Sequence, residues 1–161
     1  MQVFDNFFSK DLHKNVWHKL RESEKWILSY RGLWHLNHLE DDSFFSDELL
    51  KQIHKKLPHL KNYEFRRIYA NGQTACQVGN PHTDDGNLTF LYYPNLEWQV
   101  EYQGHLSFFD ERDELKNVVE FRPNRAVLFP AHKKHWGQAP DRSLPKGMIR
   151  ISLAYKFDVP H

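Results

Sequence analysis

The clearest chemical signal in the sequence is a histidine and an aspartate separated by one residue, His82 and Asp84. Side chains two positions apart in an extended chain point to the same side, so this imidazole and carboxylate can converge on one metal ion. Two histidines and one carboxylate hold non-haem iron(II) by one face and leave other coordination positions open. Alone the pair is weak, since eleven His and eleven Asp should give about one such pair by chance.

A third ligand is expected from a distant strand that runs back beside the first. Residues 126–130 form a continuous apolar run typical of a fully buried strand, and His132 and His135 follow it. Either histidine can complete the set. A single histidine after a strand is more often an ordinary surface or core residue, so the hypothesis depends on its combination with His82 and Asp84.

The last predicted strand, residues 149–157, alternates between two kinds of side chain. One face carries five large apolar residues that need cover, for which the N-terminal helices are available: Ile149, Ile151, Leu153, Tyr155 and Phe157. The other face carries Arg150, Ser152, Ala154 and Lys156. A cation beside two small residues leaves room for a ligand with a negative end. A polar side that faces solvent is the simpler alternative.

The first third of the chain is predicted to be mainly helical. Ser9 can cap a helix whose apolar residues recur every four positions, and Ser46 can cap a second helix that Pro58 ends. Short strands are predicted near residues 25–29 and 33–36. The polar segment 38–42 is a predicted loop, so the pair His38 and Glu40 within it is not favoured as a metal site.

From residue 63 the pattern changes to short strands separated by turn residues. Strands are predicted at 64–70, 75–78, 88–93, 104–109, 118–121, 126–129 and 149–157, with a turn at Asn71-Gly72. A mainly β (α+β) fold with N-terminal helices packed on one sheet is the simplest arrangement. The length of 161 residues predicts one domain, with helical support in about 1–62 and a β core in about 63–158.

Composition and charge exclude several functional classes. Hydrophobic residues make up 40% of the chain and aromatic residues 15%, which indicates a globular protein. The net charge is only +1 and basic residues alternate with acids, so neither nucleic acid nor a membrane is an expected partner. One cysteine, Cys76, allows no internal disulfide. With no signal-like start and no membrane-spanning apolar run, we expect a soluble cytoplasmic protein of undetermined oligomeric state.

Several ordered blocks of the sequence resemble the prolyl-hydroxylase-like branch of the iron(II)- and 2-oxoglutarate-dependent dioxygenases. The blocks are residues 69–73, 82–84, 89–98, 104–108, 128–130 before His135, and 150–153. The resemblance runs over about residues 67–157, and several blocks in order are more specific than one His-x-Asp pair. The resemblance implies a double-stranded β-helix, a jelly-roll barrel similar to that of the cupins, whose open end holds the metal.

The same resemblance assigns the site residues. It makes His82, Asp84 and His135 the catalytic iron(II) ligands, with His135 preferred to His132 because His135 and the following tryptophan fit the block. It also makes Arg150 the partner of the distal carboxylate of 2-oxoglutarate. A planar guanidinium suits that role, because it meets a carboxylate through two parallel hydrogen bonds.

Three further residues complete the implied cosubstrate pocket. Tyr93 matches a position that donates a hydrogen bond to the distal carboxylate, and Tyr69 matches a position that lines the pocket. Ser152 follows Arg150 on the same face of the strand. Ordinary aromatic packing is the alternative for both tyrosines.

Two departures from the family pattern affect the cosubstrate end of the site. Residues 141–145 lengthen the turn before Arg150, so Lys146 competes for the anchor role. Arg150 is favoured, because it lies inside the alternating strand whereas Lys146 precedes Gly147 in a predicted turn. His105 stands where the family has a second glycine, which places an imidazole near the pocket rim.

The resemblance implies an enzyme that uses Fe(II), 2-oxoglutarate and O2, with ascorbate as a candidate reductant, and that hydroxylates a C–H bond. Retention of Asp84 favours hydroxylation over halogenation. By analogy, the substrate is a prolyl residue of a peptide or protein, over which the segment 37–46 can close. The alternatives are a free amino acid or other small molecule as substrate, a non-oxidative cupin-like metal protein, and a jelly-roll binding module without metal.

Overall fold

A computed structural model describes residues 1–30 and 32–160 of the chain. The strands are β1 Gln2–Phe4, β2 Ile27–Leu28, β3 Trp34–Leu36, β4 Glu64–Gln73, β5 Leu88–Tyr92, β6 Leu106–Phe109, β7 Leu115–Val119, β8 Ala126–Pro130, β9 His135–Gly137 and β10 Arg150–Asp158. The helices are α1 Lys10–Arg21 and α2 Leu50–Lys56, with a π-helix at Phe44–Leu49 and 3-10 turns at Leu39–Asp41, Pro58–Asn62 and Val100–Tyr102.

The strands form two antiparallel sheets. The large sheet has the order β1-β8-β5-β10-β4-β3-β2, and the small sheet has the order β7-β6-β9. The prediction of a mainly β, double-stranded β-helix fold is confirmed. Within the described residues, the strand pairing leaves the two sheets separate and does not close them into a barrel.

The two faces of β10 divide the molecule into a core side and a site side. Its apolar residues pack in one buried cluster with Val16 and Leu20 of α1, as the alternation predicted: Ile151, Leu153, Tyr155 and Phe157. The opposite face is also buried, and its residues line a cavity between the sheets. The prediction of a ligand-facing side is therefore preferred over the solvent-facing alternative.

The N-terminal helices differ in how well the sequence predicted them. Ser9 caps α1 as predicted, since its side chain accepts a hydrogen bond from the Leu12 backbone N–H at 3.3 Å. The prediction that Ser46 caps the second helix is wrong. The side-chain acceptor at the start of this helical segment is Asp42, which lies earlier in the chain. Its carboxylate accepts a hydrogen bond from the Phe44 N–H at 2.9 Å. Ser46 therefore lies inside the π-helix, and its hydroxyl donates to the Asp42 carbonyl at 3.2 Å.

Strand β4 continues through the predicted Asn71-Gly72 turn. Asn71 pairs with Ser152 on one side and with His35 on the other, so both neighbouring strands hold this segment extended. Gly72 permits the close packing, because a Cβ there would lie 2.5 Å from Ile149 Cδ1. The predicted strand at 75–78 is a turn followed by coil. No helix in the described residues is long and apolar enough to cross a bilayer.

Candidate active site

Three predicted ligands converge where the segment before β5 runs beside β9. The ligand atoms of His82, Asp84 and His135 all lie within 4.8 Å of one another. His82 and His135 exchange backbone hydrogen bonds of 2.9 and 2.8 Å, and the Asp84 N–H donates to the Ala131 carbonyl at 2.9 Å. The backbone therefore fixes the relative positions of the three side chains.

The two imidazoles are oriented by carbonyl groups close to them in sequence. Nδ1 of His82 lies 2.8 Å from the Asn80 oxygen, and Nδ1 of His135 lies 2.8 Å from the Lys133 oxygen. Because a carbonyl only accepts, each Nδ1 carries the proton and each Nε2 offers its lone pair. The Nε2 atoms lie 3.6 and 3.5 Å from oxygens of Asp84. This tautomer leaves Nε2 of both imidazoles free to bind a metal.

The three side chains differ in their burial and in the direction of their pKa shifts. The side chains of Asp84 and His135 are each 7% exposed, whereas that of His82 is 56% exposed. Burial lowers the pKa of His135, and the Asp84 carboxylate raises the pKa of His82. Burial alone would raise the pKa of Asp84, but contact with His82 and the charge of Lys156 hold it well below its usual range. The three side chains can hold a divalent cation from one side. The coordination positions next to the exposed His82 side chain remain open.

Lys156 belongs to the same cluster, and sequence reasoning gave it no role. Its ammonium contacts Oδ2 of Asp84 and donates to the Thr89 hydroxyl at 2.9 Å. The Thr89 hydroxyl in turn donates to Asp84 Oδ2 at 2.7 Å. Burial lowers the pKa of Lys156, and Asp84 opposes that shift. The period-two pattern of β10 could have identified Lys156, because it places this residue on the same face as Arg150.

A cavity of about 570 Å³ extends from this cluster along the large sheet. Its wall is formed by the polar face of β10 and by alternate residues of β4: Arg67, Tyr69, Asn71, Gln73, Arg150, Ser152, Ala154 and Lys156. Tyr69 and Ser152 thus face the space that the sequence analysis assigned to them. Burial raises the pKa of Tyr69, so its hydroxyl stays protonated.

Arg150 lies at the opposite end of the cavity from Lys156 and is only 2% exposed. Its Nε donates to the Gly104 carbonyl at 2.7 Å, and its Nη1 donates to Gln73 Oε1 at 3.0 Å. Its Nη2 is buried and has no hydrogen-bond partner in the described structure. Burial lowers the pKa of Arg150, which nevertheless remains a cation at neutral pH.

Tyr93 adds a second unpaired donor behind Arg150. Its hydroxyl is buried with no hydrogen-bond partner among residues 1–30 and 32–160, and its ring centroid lies 5.4 Å from the guanidinium carbon. Burial raises the pKa of Tyr93 to about 12. Tyr93 is not among the residues that line the cavity. A buried donor without a partner is costly, and the carboxylate of an oxoacid in the cavity would satisfy Nη2 of Arg150, which lines it. The hydrogen bond from Tyr93 to that carboxylate stays a prediction.

The residues that the sequence offered as alternatives for the anchor and the third ligand lie outside the cavity. Lys146 and His132 are exposed and do not line the cavity. His105 does not reach the cavity rim, since its Nδ1 accepts a hydrogen bond from the Phe121 N–H at 3.2 Å. In the segment 37–46, predicted to close over a peptide, the Phe45 carbonyl accepts from the Tyr155 hydroxyl at 2.9 Å. The Phe45 end of the segment is therefore packed on the core, whereas Asn37 at its start lines the cavity.

A comparison with protein-family models gives a match to the family described as the 2OG-Fe(II) oxygenase superfamily over residues 54–155, more than half of the chain. The chain belongs to the 2OG-Fe(II) oxygenase superfamily. Its enzyme class is therefore that of the dioxygenases, and the family uses Fe(II), 2-oxoglutarate (2OG) and O2. The predicted family and enzyme class are confirmed. A search of curated proteins gives no match.

Solved structures support the fold of this 2OG-Fe(II) oxygenase. A Pseudomonas putida prolyl-4-hydroxylase is similar with a TM-score of 0.71 at 18% identity, covering 99% of this chain and 92% of the other. A Trichoplax adhaerens prolyl hydroxylase, in complex with a hypoxia inducible factor oxygen degradation domain peptide fragment, gives 0.70 at 16%, covering 98% and 83%. HygX from Streptomyces hygroscopicus, with nickel and 2-oxoglutarate bound, gives 0.69 at 12%, covering 95% and 80%. At these identities the likeness concerns the fold.

Proposed function

We propose that the chain hydroxylates a prolyl residue of a peptide or protein and that His82, Asp84 and His135 hold the iron. The observation that carries the metal assignment is the convergence of two Nδ1-protonated imidazoles and one buried carboxylate within 4.8 Å. When bound, ferrous iron supplies the oxidative chemistry that couples decarboxylation of 2OG to hydroxylation of a C–H bond.

The protein's own part begins with the cosubstrate. Arg150 is proposed to bind the distal carboxylate of 2OG through its free Nη2, while the Tyr93 ring packs against the guanidinium outside the cavity lining. Gln73 and Gly104 occupy the remaining face of the guanidinium, which fixes the direction in which Nη2 points. Tyr69 lines the space between that anchor and the metal ligands.

The substrate part of the proposal is supported by a row of polar side chains. His35 and Asn37 line the cavity beside Asn71, and His35 Nδ1 lies 2.7 Å from Asn71 Oδ1. Imidazole and amide groups suit the N–H and C=O groups of a peptide. Three of the similar solved structures are prolyl hydroxylases, one of them with a peptide bound.

The alternative of a free amino acid is favoured by a different feature of the cavity wall. Arg67 Nη2 lies 2.8 Å from Asp85 Oδ1, and both residues line the cavity. A guanidinium and a carboxylate side by side can bind the two charged ends of a zwitterion. Ascorbate as a reductant and a cytoplasmic location stay predictions.

The test supplies Fe(II), 2OG, ascorbate and O2 with either proline-containing peptides or free proline. Succinate formation that depends on substrate, together with one added oxygen in a peptidyl proline by mass spectrometry, is the expected result. The His135→Ala variant is the control and should give neither product. Oxidation of free proline alone would favour the zwitterion. Absence of succinate with every substrate would contradict the proposed oxygenase activity.

A further inference from the structure

Lys156 is a buried lysine in the candidate active site, and its side chain is only 1% exposed. Burial of an ammonium group is unfavourable unless the charge is paired and hydrogen-bonded. Lys156 meets both needs at one place, through its ion pair with Asp84 and its hydrogen bond to Thr89. The lysine is therefore built into the site and is not a surface charge that reaches inward.

The three side chains form a closed triangle around one oxygen atom. Lys156 and the Thr89 hydroxyl both meet Oδ2 of Asp84, and Lys156 also donates to Thr89. Because the Thr89 oxygen accepts from Lys156, its own proton is directed at Asp84. Asp84 Oδ1 takes no part in these contacts and faces Nε2 of His82 at 3.6 Å, whereas Oδ2 lies 3.5 Å from Nε2 of His135 in addition to its two donors.

Strand register places the triangle. Lys156 of β10 is the direct cross-strand partner of Thr89 of β5, so the two side chains project from the same face of the sheet. Asp84 lies five residues before Thr89 in the chain, and its backbone N–H donates a hydrogen bond to the Ala131 carbonyl. A central pair of strands thus fixes the two donors, and the metal-facing segment brings the carboxylate to them.

We propose that Lys156, together with Thr89, is a positioning residue that occupies Oδ2 of Asp84 and presents only Oδ1 to the metal. This rests on the proposed function, in which Asp84 is an iron ligand. A carboxylate that binds through one oxygen uses one coordination position, whereas a carboxylate that binds through two oxygens uses two. Retention of Oδ2 by Lys156 therefore keeps a position open for 2OG or O2.

The test compares three variants loaded with Ni(II) or Co(II) without O2. Lys156→Met keeps an unbranched side chain of similar length and removes the charge, so a space-filling role predicts no change. Thr89→Val removes only the hydroxyl and keeps the branched shape. Lys146→Met is the matched control, because it removes the same charge from an exposed residue outside the cavity.

The readouts are metal stoichiometry, the affinity of the metal-loaded protein for 2OG by calorimetry, and the visible absorption of bound Co(II), which reports coordination number. We expect one metal ion per chain in every variant. We expect 2OG binding about 10–100-fold weaker in Lys156→Met, smaller weakening in Thr89→Val, and a shifted Co(II) spectrum in both. Lys146→Met should match the wild type.

Wild-type 2OG affinity and an unchanged Co(II) spectrum in folded Lys156→Met would overturn the proposal. If that variant does not fold, Thr89→Val decides in the same way, because loss of one hydroxyl leaves the lysine in place. A wild-type protein that binds no metal would overturn the proposed function and this proposal together. If the wild-type protein binds the metal and 2OG, and both variants have the same 2OG affinity and Co(II) spectrum as the wild type, this proposal alone would be overturned.

Discussion

The carbonyl oxygen of Gly104 accepts a 2.7 Å hydrogen bond from Nε of Arg150, and the missing side chain of Gly104 is what permits this contact. A Cβ at position 104 would lie 2.9 Å from Arg150 Cδ and 3.1 Å from its Nε. The backbone there has φ +74°, a conformation that favours glycine. Gly104 and Arg150 therefore form one unit at the oxoacid end of the cavity.

Gly104→Ala should destabilise the protein and weaken 2OG binding together. The left-handed backbone costs about 1–2 kcal/mol with a Cβ present, and the collision with Arg150 adds roughly 1–3 kcal/mol. Gly147→Ala is the matched control, since Gly147 has φ +84° and a Cβ added there would meet nothing within 4 Å. Urea unfolding and calorimetry measure both effects. Equal losses of stability and equal 2OG affinities in the two variants would show that Arg150 is not displaced.

The metal assignment predicts a clear contrast between two neighbouring histidines. His135→Ala should abolish one-to-one binding of Ni(II), because it removes a buried ligand that faces Asp84. His132→Ala should leave metal binding unchanged, since His132 is exposed and outside the cavity. Metal content after dialysis, measured by elemental analysis, distinguishes the two. Metal loss in His132→Ala with retention in His135→Ala would reverse the assignment.

The anchor assignment predicts a similar contrast between two cations. Arg150→Met should raise the dissociation constant for 2OG by about 30-fold or more, since loss of one partner of a buried charge pair costs on the order of 2–5 kcal/mol. Lys146→Met should bind 2OG like the wild type, because Lys146 is exposed. Titration of the Ni(II)-loaded protein with 2OG measures both constants. Weaker binding in Lys146→Met alone would assign the anchor to that lysine.

The sequence could predict the parts of the site that follow from local periodicity. Alternation along β10 placed Arg150 and Ser152 on the side opposite the apolar core, and the cavity confirms that placement. The one-residue spacing of His82 and Asp84 predicted that both side chains would face one point, as they do. Each of these inferences needs only the geometry of an extended strand.

Features that depend on pairing between distant strands could not be predicted in this way. Lys156 has its role only because β10 lies beside β5, which brings Thr89 next to it. Asn71 and Gly72 have turn chemistry, but pairing on both sides keeps them in a strand. The strand β9 has only three residues, and its pairing with β6 defines it. Local sequence signals carry no information about such partners.

His13 gives a prediction about the effect of pH on stability. It lies on α1 and is only 9% exposed, and its Nε2 lies 2.9 and 3.0 Å from the carbonyl oxygens of Pro94 and Asn95. Burial lowers the pKa of His13 below its ordinary value. The neutral imidazole therefore suits the folded state, whereas the unfolded chain binds the proton more readily.

The direction of this pH effect on the free energy of unfolding follows from the difference in bound protons between the unfolded and the folded state. Above the unfolded pKa, about 6.5, His13 is neutral in both states and its contribution to stability is fully present. As the pH falls below that value, the unfolded state gains the proton first and the free energy of unfolding decreases. The slope from this one group is at most about 1.4 kcal/mol per pH unit.

His13→Gln should remove this part of the pH dependence, because a glutamine amide can still donate to a carbonyl but does not titrate. Urea unfolding of both proteins between pH 7.5 and 5.5 measures the free energy of unfolding at each pH. We expect the wild type to lose more stability than the variant over that range. His54, whose pKa burial also lowers, is present in both proteins and cancels from the difference. Parallel pH profiles would contradict a buried neutral His13.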